Sequence, residues 1–284
     1  MEKKFFIPDE NLGEVITKTL KPIEVKEIKP ISTGWTNIVF EAITEGEGSY
    51  FFRFPRDDFW AKMMVKDYHF CKFIEGKTSF KTPKLELFFD QERPYSVHKK
   101  IEGTVLTEKL NELTSNDMQV IAKDVSKFIC ELKDISQDDL PEECKVTLLD
   151  FLDELANVHF SDLSLWQYEY VKSKHTNKHL VHGDLNPGNM IVDENNNLVA
   201  VIDFCFAGLG NPYADVSRVI GRSPSGLKKI MINSYEEKTN TKIDEEMLER
   251  FVKVWTDIET GYIDYIRNNN PDIKLPSLNE AKVV

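Results

Sequence analysis

The chain has 284 residues, of which 41% are hydrophobic, 11% aromatic and 30% charged, and its formal net charge is -12. This aromatic content argues against intrinsic disorder, and the length allows two domains that each bury a core. The acidic balance argues against nucleic acid or an anionic membrane surface as the main partner, because binding to phosphate groups needs clustered lysine and arginine. A cationic ligand suits this charge better.

The cysteines, the N-terminus and the apolar segments predict a cytoplasmic protein. Four cysteines stand far apart without a C-x-x-C pair, which indicates neither a disulfide framework nor a thiolate zinc site. The apolar run before Pro8 has three residues, too few for a signal peptide. No segment approaches the roughly 18 apolar residues that a membrane span requires. We also expect a monomer.

Strand patterns dominate the first hundred residues. Runs of β-branched and aromatic residues predict strands, and an apolar stripe predicts one helix among them, from about Phe59 to Ile74. Two glycines at 46 and 48 predict a hairpin turn between the second and third strands. The predicted strands are Ile23–Ile31, Ile38–Ile43, Tyr50–Phe54, Leu85–Phe89 and Tyr95–Ile101.

Helical patterns dominate after Thr104. A helix is predicted over Thr114–Leu132, where polar residues can cap the first turn and apolar residues recur every three or four positions. A short β-rich segment follows at Leu180–Asp203. Helices then return from Asp215 onward, including a long acidic helix near Asp244–Asn268.

These patterns predict an α+β chain with two lobes. The N-terminal lobe, residues 1–102, is small and β-rich. The C-terminal lobe, residues 103–284, is larger and mainly helical.

The most informative segment is the motif HGDLNPGN at 182–189, followed by an apolar run that ends in Asp203. A loop rich in glycine and proline before a strand can place Asp184 beside Asn189, and the return strand of a hairpin can bring Asp203 back to them. Mg²⁺ prefers oxygen ligands and retains several waters, so Asn189, Asp203 and nucleotide phosphates suffice to hold it. Asp184 is then free to orient a hydroxyl and accept its proton.

This spacing resembles the catalytic loop and the D-F-G metal site of protein kinases, with Gly183 in place of an arginine and Cys205 in place of a glycine. The two motifs together closely resemble those of the aminoglycoside phosphotransferase family, kinase-like enzymes that phosphorylate hydroxyl groups of antibiotics. The resemblance implies a protein-kinase-like two-lobed fold in which the N-terminal lobe, residues 1–102, binds the nucleotide and the C-terminal lobe, residues 103–284, carries the catalytic and acceptor-binding residues. It also implies Asp184 as the catalytic residue, and ATP or GTP as co-substrate with Mg²⁺ at Asn189 and Asp203. By the same resemblance, Asp215 has a structural role and braces the loop that carries Asp184.

Arg53 and Asp67 are predicted to form an ion pair that positions the α/β-phosphates. Arg53 shares a strand face with Phe51, and Asp67 lies within the apolar stripe of the next helix, so both charges face inward and need a partner. The pair resembles the Lys–Glu pair of the family with both members replaced, and arginine is not equivalent to lysine. A salt bridge near the surface is the alternative.

Two further segments resemble nucleotide-binding elements of the family. Ser32, Thr33 and Gly34 would fold over the phosphates and donate backbone N–H groups, although a plain hairpin turn explains this segment equally well. Ser96 and His98 lie in a segment that resembles the family's hinge, where backbone groups bind the purine.

The acceptor pocket is predicted on the long C-terminal helix. Its acidic and aromatic side chains suit a cationic small molecule through ion pairs and cation–π contacts. The alternative is that the aromatic residues pack as core and the acids are solvated. The acceptor-binding candidates are Trp255, Asp257, Glu259 and Tyr262.

We therefore expect a kinase that transfers the γ-phosphate of ATP or GTP to a hydroxyl of an aminoglycoside-like antibiotic, and hence a role in antibiotic resistance. The chain has no A-P-E motif, which argues against a protein acceptor. A metabolic kinase acting on choline, a sugar or an amino alcohol is the first alternative, because one fold hosts many acceptors. A non-catalytic pseudokinase is the second, and its only sequence hint is the arginine at position 53.

Overall fold

The structure is a computed structural model that describes residues 12–31, 36–90, 92–146, 171 and 179–269. The chain divides into two units. One consists of the residues up to Lys72 together with Pro83–Ile101, and the other of Phe73–Thr82 together with the residues from Glu102 onward. The assignment of these units to nucleotide binding and to acceptor binding stays a prediction.

An antiparallel five-stranded sheet with strand order β1-β2-β3-β5-β4 forms the centre of the first unit. The predicted strands agree with the observed ones to within two residues at each end. The turn between the second and third strands lies at 45–48, as predicted. The strands are β1 (Val25–Ile31), β2 (Asn37–Thr44), β3 (Ser49–Pro55), β4 (Glu86–Asp90) and β5 (Arg93–Lys99).

Two helices cover the two faces of this sheet. Helix α1 (Leu12–Thr19) packs its apolar side against Phe52 and Phe54 of β3. Side chains alternate along a strand, so Arg53 points to the opposite face, where it contacts helix α2 (Asp58–Ile74). Helix α1 was not predicted from the sequence, because its eight residues cover only about two turns of the helical period.

Four helices dominate the described part of the second unit. Helix α3 begins at Thr114, whose side chain accepts from the backbone of Asp117 in a capping box, and its apolar stripe is buried. Helix α3 packs against α5, and α4 packs against α6. The helices are α3 (Ser115–Asp134), α4 (Tyr213–Gly221), α5 (Ser225–Thr239) and α6 (Glu245–Asn269).

Short strands in the second unit form two small antiparallel sheets within the described ranges. One sheet has the order β6-β8-β9, and the other pairs β7 with β10. The last residue of β7 is followed by the HGDLNPGN motif, so both sheets flank that segment. The strands are β6 (Thr104–Val105), β7 (His179–Val181), β8 (Met190–Val192), β9 (Leu198–Val201) and β10 (Gly208–Gly210).

The sequence predicts neither a membrane span nor a disulfide framework. Among the residues that the structure describes, no helix has both the length and the apolar character needed to cross a membrane. All four cysteines lie in the described ranges, and none of them forms a disulfide.

Candidate active site

The HGDLNPGN motif forms the loop between β7 and β8, which we call the catalytic loop, residues 182–189. Strands β8 and β9 pair with Met190 opposite Val201. The pairing extends one residue beyond the strands, where the backbone N–H of Ile202 donates to the carbonyl of Asn189 at 3.0 Å. The hairpin therefore returns the chain to the end of the catalytic loop immediately before Asp203.

The side chain of Asn189 is hydrogen-bonded directly to Asp184. Its amide nitrogen donates to the backbone carbonyl of Asp184 at 2.9 Å and to the carboxylate Oδ2 at 3.2 Å. Asn186 donates from its own amide to Oδ1 of Asp184 at 3.0 Å and accepts from the N–H of Gly188. The loop therefore holds the Asp184 carboxylate between two asparagine side chains.

Gly183 occupies the position where the protein-kinase motif has an arginine. Its φ is +79°, in the left-handed region that favours glycine. A Cβ at this position would lie 2.4 Å from the carbonyl oxygen of Phe206, far inside van der Waals contact. The loop conformation and the close approach of a second chain segment therefore both require glycine here.

A buried carboxylate on α4 fixes the start of the catalytic loop. Asp215 accepts from the backbone N–H groups of His182, at 2.9 Å, and Gly183, at 2.8 Å. The His182 ring is also buried, and its Nε2 lies 3.0 Å from the carbonyl oxygen of Ile202. Burial raises the pKa of the Asp215 carboxyl to about 6, although the two backbone hydrogen bonds act in the opposite direction.

Asn189 and Asp203 suit a hard divalent cation such as Mg²⁺. The Asn189 nitrogen faces Asp184, and its oxygen has no hydrogen-bond donor among the described residues. Asp203 has a φ of +64°, which is uncommon for a residue other than glycine and is typical of functional positions. The described residues contain no group of three or more His, Cys, Asp and Glu that could hold a metal ion. Two protein oxygens together with nucleotide phosphates remain a sufficient ligand set for Mg²⁺.

The structure joins Arg53 and Asp67 within the first unit. The guanidinium Nη1 lies 2.6 Å from the Asp67 Oδ2, and the side chains are 11% and 1% exposed. The thiol of Cys71, one turn further along α2, lies 3.5 Å from the other Asp67 oxygen. The pair is therefore buried rather than near the surface, and its predicted contact with phosphates stays a prediction.

The other nucleotide-binding candidates lie on β5 or outside the described residues. Ser96 is fully buried and pairs with Arg53 across the sheet. His98 is more exposed, with its ring 5.5 Å from that of Phe51. Ser32, Thr33 and Gly34 fall outside the described residues.

Arg218 belongs to the site but is not among the residues predicted from the sequence. It lies on α4, and its Nε donates to Oδ1 of Asp184 at 2.7 Å, while Nη2 contacts the same oxygen. Its Nη1 lies 2.7 Å from Oε1 of Glu259 on α6, whose other oxygen contacts Arg222. The signal was present in the sequence, because an arginine among the apolar residues of α4 has to be buried with a partner.

The predicted acceptor residues divide between the interior and the surface of α6. Trp255 is 3% exposed and packs edge-on against Phe206, which agrees with the alternative that it belongs to the core. Glu259 is not solvated, and its carboxylate is already paired with two arginines. Asp257 pairs with Lys253 at 3.1 Å on the same helix, and the side chain of Tyr262 falls outside the described residues. Their role in acceptor binding stays a prediction.

Comparison with known proteins identifies the family of this chain. The sequence profile of the APH family, described as the phosphotransferase enzyme family, matches residues 27–236. The chain belongs to this family. The predicted resemblance is thereby confirmed, and so is the prediction that the protein is a phosphotransferase.

Solved structures confirm the predicted kinase-like α+β fold of this phosphotransferase. Aminoglycoside 2'-phosphotransferase-IIIa, solved with GDP, is 16% identical, with a TM-score of 0.71 over 93% of this chain and 94% of that one. The streptomycin–ATP ternary complex of APH(2")-IIa is 20% identical, with a TM-score of 0.62 over 92% and 91%. Macrolide 2'-phosphotransferase MphH from Brachybacterium faecium is 14% identical, with a TM-score of 0.63 over 95% and 99%. At these identities the likeness establishes the fold.

Proposed function

We propose that this phosphotransferase transfers the γ-phosphoryl group of ATP or GTP to a hydroxyl group of an aminoglycoside-like antibiotic. The observation that carries the proposal is the Asp184 carboxylate, held by Asn189 on a loop that Asp215 fixes to α4. Family membership supports the class of reaction. The related structures with GDP and with streptomycin and ATP support the nucleotide and the type of acceptor.

In the proposed reaction, Asp184 orients the acceptor hydroxyl and accepts its proton. The hydroxyl oxygen forms a bond to the γ-phosphorus, and the bond from that phosphorus to the bridging oxygen breaks, so the nucleoside diphosphate leaves with the electron pair. Asn189 and Asp203 would hold Mg²⁺, which offsets the charge on the phosphates. Because the transition state is loose, alignment and charge stabilisation matter more than the base strength of Asp184.

In the first unit, Arg53 would position the α/β-phosphates. A guanidinium can bind phosphate through two parallel hydrogen bonds, and Arg53 remains charged at any physiological pH. Asp67 fixes the Arg53 side chain through the 2.6 Å contact. Ser96 and His98 would lie in the purine-binding segment, and Ser32, Thr33 and Gly34 would lie over the phosphates, as the family resemblance implies.

The charge of the molecule supports a cationic acceptor, and aminoglycosides carry several ammonium groups. The chain has 48 acidic residues against 36 lysines and arginines. Asp257 and the residues near it on α6 would contribute to acceptor binding. One observation favours the second candidate, a metabolic kinase with a less cationic acceptor such as a sugar: Glu259 already pairs with Arg218 and Arg222 and offers an ammonium group less charge.

The substitution Asp184→Asn tests the proposed reaction. We expect turnover to fall about 10²–10⁴-fold because the proton acceptor is lost, whereas the dissociation constant of the Mg²⁺–nucleotide complex stays close to that of the wild type. Steady-state kinetics with an aminoglycoside and calorimetric titration with nucleotide measure the two quantities. Asp134→Asn, at the exposed end of α3, is the control and should retain full turnover. Wild-type turnover in Asp184→Asn would exclude the assigned role.

A panel of acceptors identifies the substrate class. Purified protein with Mg²⁺ and ATP or GTP is incubated with aminoglycosides, macrolides, choline and sugars, and phosphorylated product is detected by mass spectrometry. Product from an aminoglycoside supports the proposal and justifies a test of resistance in bacteria that express the protein. Product from only a sugar or choline establishes the metabolic kinase instead. Nucleotide binding without any product supports the pseudokinase.

A further inference from the structure

The two oxygens of the Asp184 carboxylate have unequal surroundings. Oδ1 accepts from Asn186 at 3.0 Å, from Nε of Arg218 at 2.7 Å, and from Nη2 of the same guanidinium. Oδ2 accepts only from Asn189 among the described residues, at 3.2 Å. Three donors saturate one carboxylate oxygen, whereas a single long hydrogen bond leaves the other able to accept again.

Arg218 is held so that its orientation is fixed. The side chain is 6% exposed, and three residues contact its guanidinium. Asp184 binds one edge, and Glu259 binds the other at 2.7 Å. The centroid of the Trp255 ring lies 4.5 Å from the guanidinium carbon. Burial lowers the pKa of the Arg218 guanidinium, but the charges of Asp184 and Glu259 raise it by more, so the net direction is upward. The guanidinium is therefore a permanently charged, rigid group.

From this arrangement we infer that Arg218 is the positioning residue of the phosphoryl transfer: with Asn186 it occupies Oδ1 of Asp184 and so turns Oδ2 toward the acceptor hydroxyl. The inference rests on the proposed function, because it assigns Asp184 the role of proton acceptor. A carboxylate rotates easily about its last side-chain bond, and such a rotation would turn Oδ2 away from the hydroxyl proton that it has to accept. Nε and Nη2 of Arg218 both donate to Oδ1, so together they fix the position of that oxygen and thereby the rotation of the carboxylate, which a single ammonium group does less well.

The arrangement also links Asp184 to the helix that carries the predicted acceptor residues. Glu259 lies on α6, and Arg218 bridges it to the catalytic loop. A ligand that moves Glu259 would therefore also move the guanidinium that restrains Asp184. Arg222 contacts the second oxygen of Glu259 and lies one helical turn beyond Arg218, so it offers a matched control on the same helix end.

The test compares Arg218→Met, Arg218→Lys and Arg222→Met in steady-state phosphorylation of the acceptor found in the panel. We expect Arg218→Met to lower kcat about 10–100-fold, because misplacement of a catalytic group costs this much, while KM for the nucleotide changes less than about threefold. Arg218→Lys should recover part of the loss. Arg222→Met should keep kcat within about threefold of the wild type.

A double variant controls for the loss of stability that Arg218→Met can cause. Arg218→Met leaves the carboxylate of Glu259 with one partner fewer, so the double variant Arg218→Met/Glu259→Gln removes that buried charge as well. If kcat of Arg218→Met and kcat of the double variant both stay within twofold of the wild type, the inference is wrong. It is also wrong if Arg222→Met lowers kcat as much as Arg218→Met does, because the loss then reflects packing of α4 on α6.

A crystal structure of Arg218→Met gives a readout that does not depend on turnover. Rotation of the Asp184 carboxylate away from its wild-type orientation supports the inference, and an unchanged carboxylate overturns it. If the wild-type protein phosphorylates no acceptor, the proposed function fails, yet the crystal structure still decides whether Arg218 orients Asp184. The two failures are thereby distinguishable.

Discussion

Asp215 shows how one buried side chain determines the geometry of the site. Its two carboxylate oxygens accept from successive backbone N–H groups, those of His182 and Gly183, just before Asp184. A buried N–H without an acceptor is costly, so the carboxylate and the loop conformation require each other. The sequence predicted a structural role for Asp215 only through the family resemblance. The hydrogen bonds themselves follow from the position of α4.

Stability should depend on pH through Asp215. Its folded-state pKa is raised to about 6 by burial, so its stabilising contribution is largest below about pH 4 and is lost as the pH rises through about 6. Asp215→Asn leaves one backbone N–H poorly paired, and we expect it to lower the free energy of unfolding by about 1–3 kcal/mol. This deficit should narrow between pH 4 and pH 7, because only the wild-type side chain must become charged. Urea unfolding at several pH values measures it.

The partly exposed carboxylate of Asp193 provides a control whose pKa is shifted in the opposite direction. The pKa of Asp193 is lowered, chiefly by the hydrogen bond from the side chain of Asn197 and also by backbone hydrogen bonds of Asn197 and Asn195, while burial acts in the opposite direction. Its contribution is therefore present above about pH 4 and is lost in acid. Asp193→Asn should show a small deficit that does not narrow between pH 4 and pH 7. A deficit of Asp215→Asn that widens over this range would contradict the assigned pKa.

Helix α3 illustrates what local sequence determines at the scale of an element. The Thr114 Oγ1 accepts from the backbone N–H of Asp117 at 3.2 Å, and Asp117 Oδ2 accepts from the Thr114 N–H at 2.8 Å. Thr114 and Asp117 are three positions apart in the chain, so the sequence alone could predict where this helix begins. The buried stripe of α3 follows the predicted spacing, including Ile121, Val125 and Phe128.

Removal of the capping threonine should destabilise the protein. We expect Thr114→Ala to lower the free energy of unfolding by about 1 kcal/mol, because the side-chain acceptor for the Asp117 N–H is lost. Ser115→Ala is the matched control, since this hydroxyl makes no side-chain hydrogen bond among the described residues, and its effect should be a few tenths of a kcal/mol. Chemical denaturation of both variants is the measurement. Equal losses would show that the capping box contributes nothing.

Strand β3 marks the limit of prediction for an element. Alternation of side chains predicted that Arg53 faces inward, and the structure places it on the face opposite Phe52 and Phe54. Which element would meet Arg53 there was inferred from Asp67 on the next helix. That inference worked because a charge inside an apolar stripe needs a partner, and the chain offers few within reach.

At the scale of the whole molecule, the net charge of -12 should affect the association of charged substrates. An acidic protein attracts a cationic acceptor over distances comparable with the Debye length and repels an anionic nucleotide. We expect KM for an aminoglycoside to rise severalfold between about 50 and 300 mM NaCl, since salt screens the attraction. Initial-rate measurements at constant free Mg²⁺ test this. KM for a neutral sugar acceptor, where one is found, should change little.

The nucleotide provides an internal control for this effect. Screening of repulsion should leave KM for the Mg²⁺–nucleotide complex unchanged or lower it as salt increases. A rise of both values by the same factor would point to a general effect of salt on the enzyme. In that case the net charge would not be what recruits the acceptor.

The sequence by itself determined the family, the α+β fold class and the residues of the catalytic loop, because HGDLNPGN and the following Asp203 are local patterns with fixed spacing. It also determined most strands and α3, whose periods and turn residues are local. Only the tertiary structure decided that Arg218 and Glu259 meet Asp184, since 34 residues separate Arg218 from that carboxylate and no periodicity encodes their contact. Burial is the physical reason for these contacts, because a charged side chain in the protein interior is stable only when it is paired.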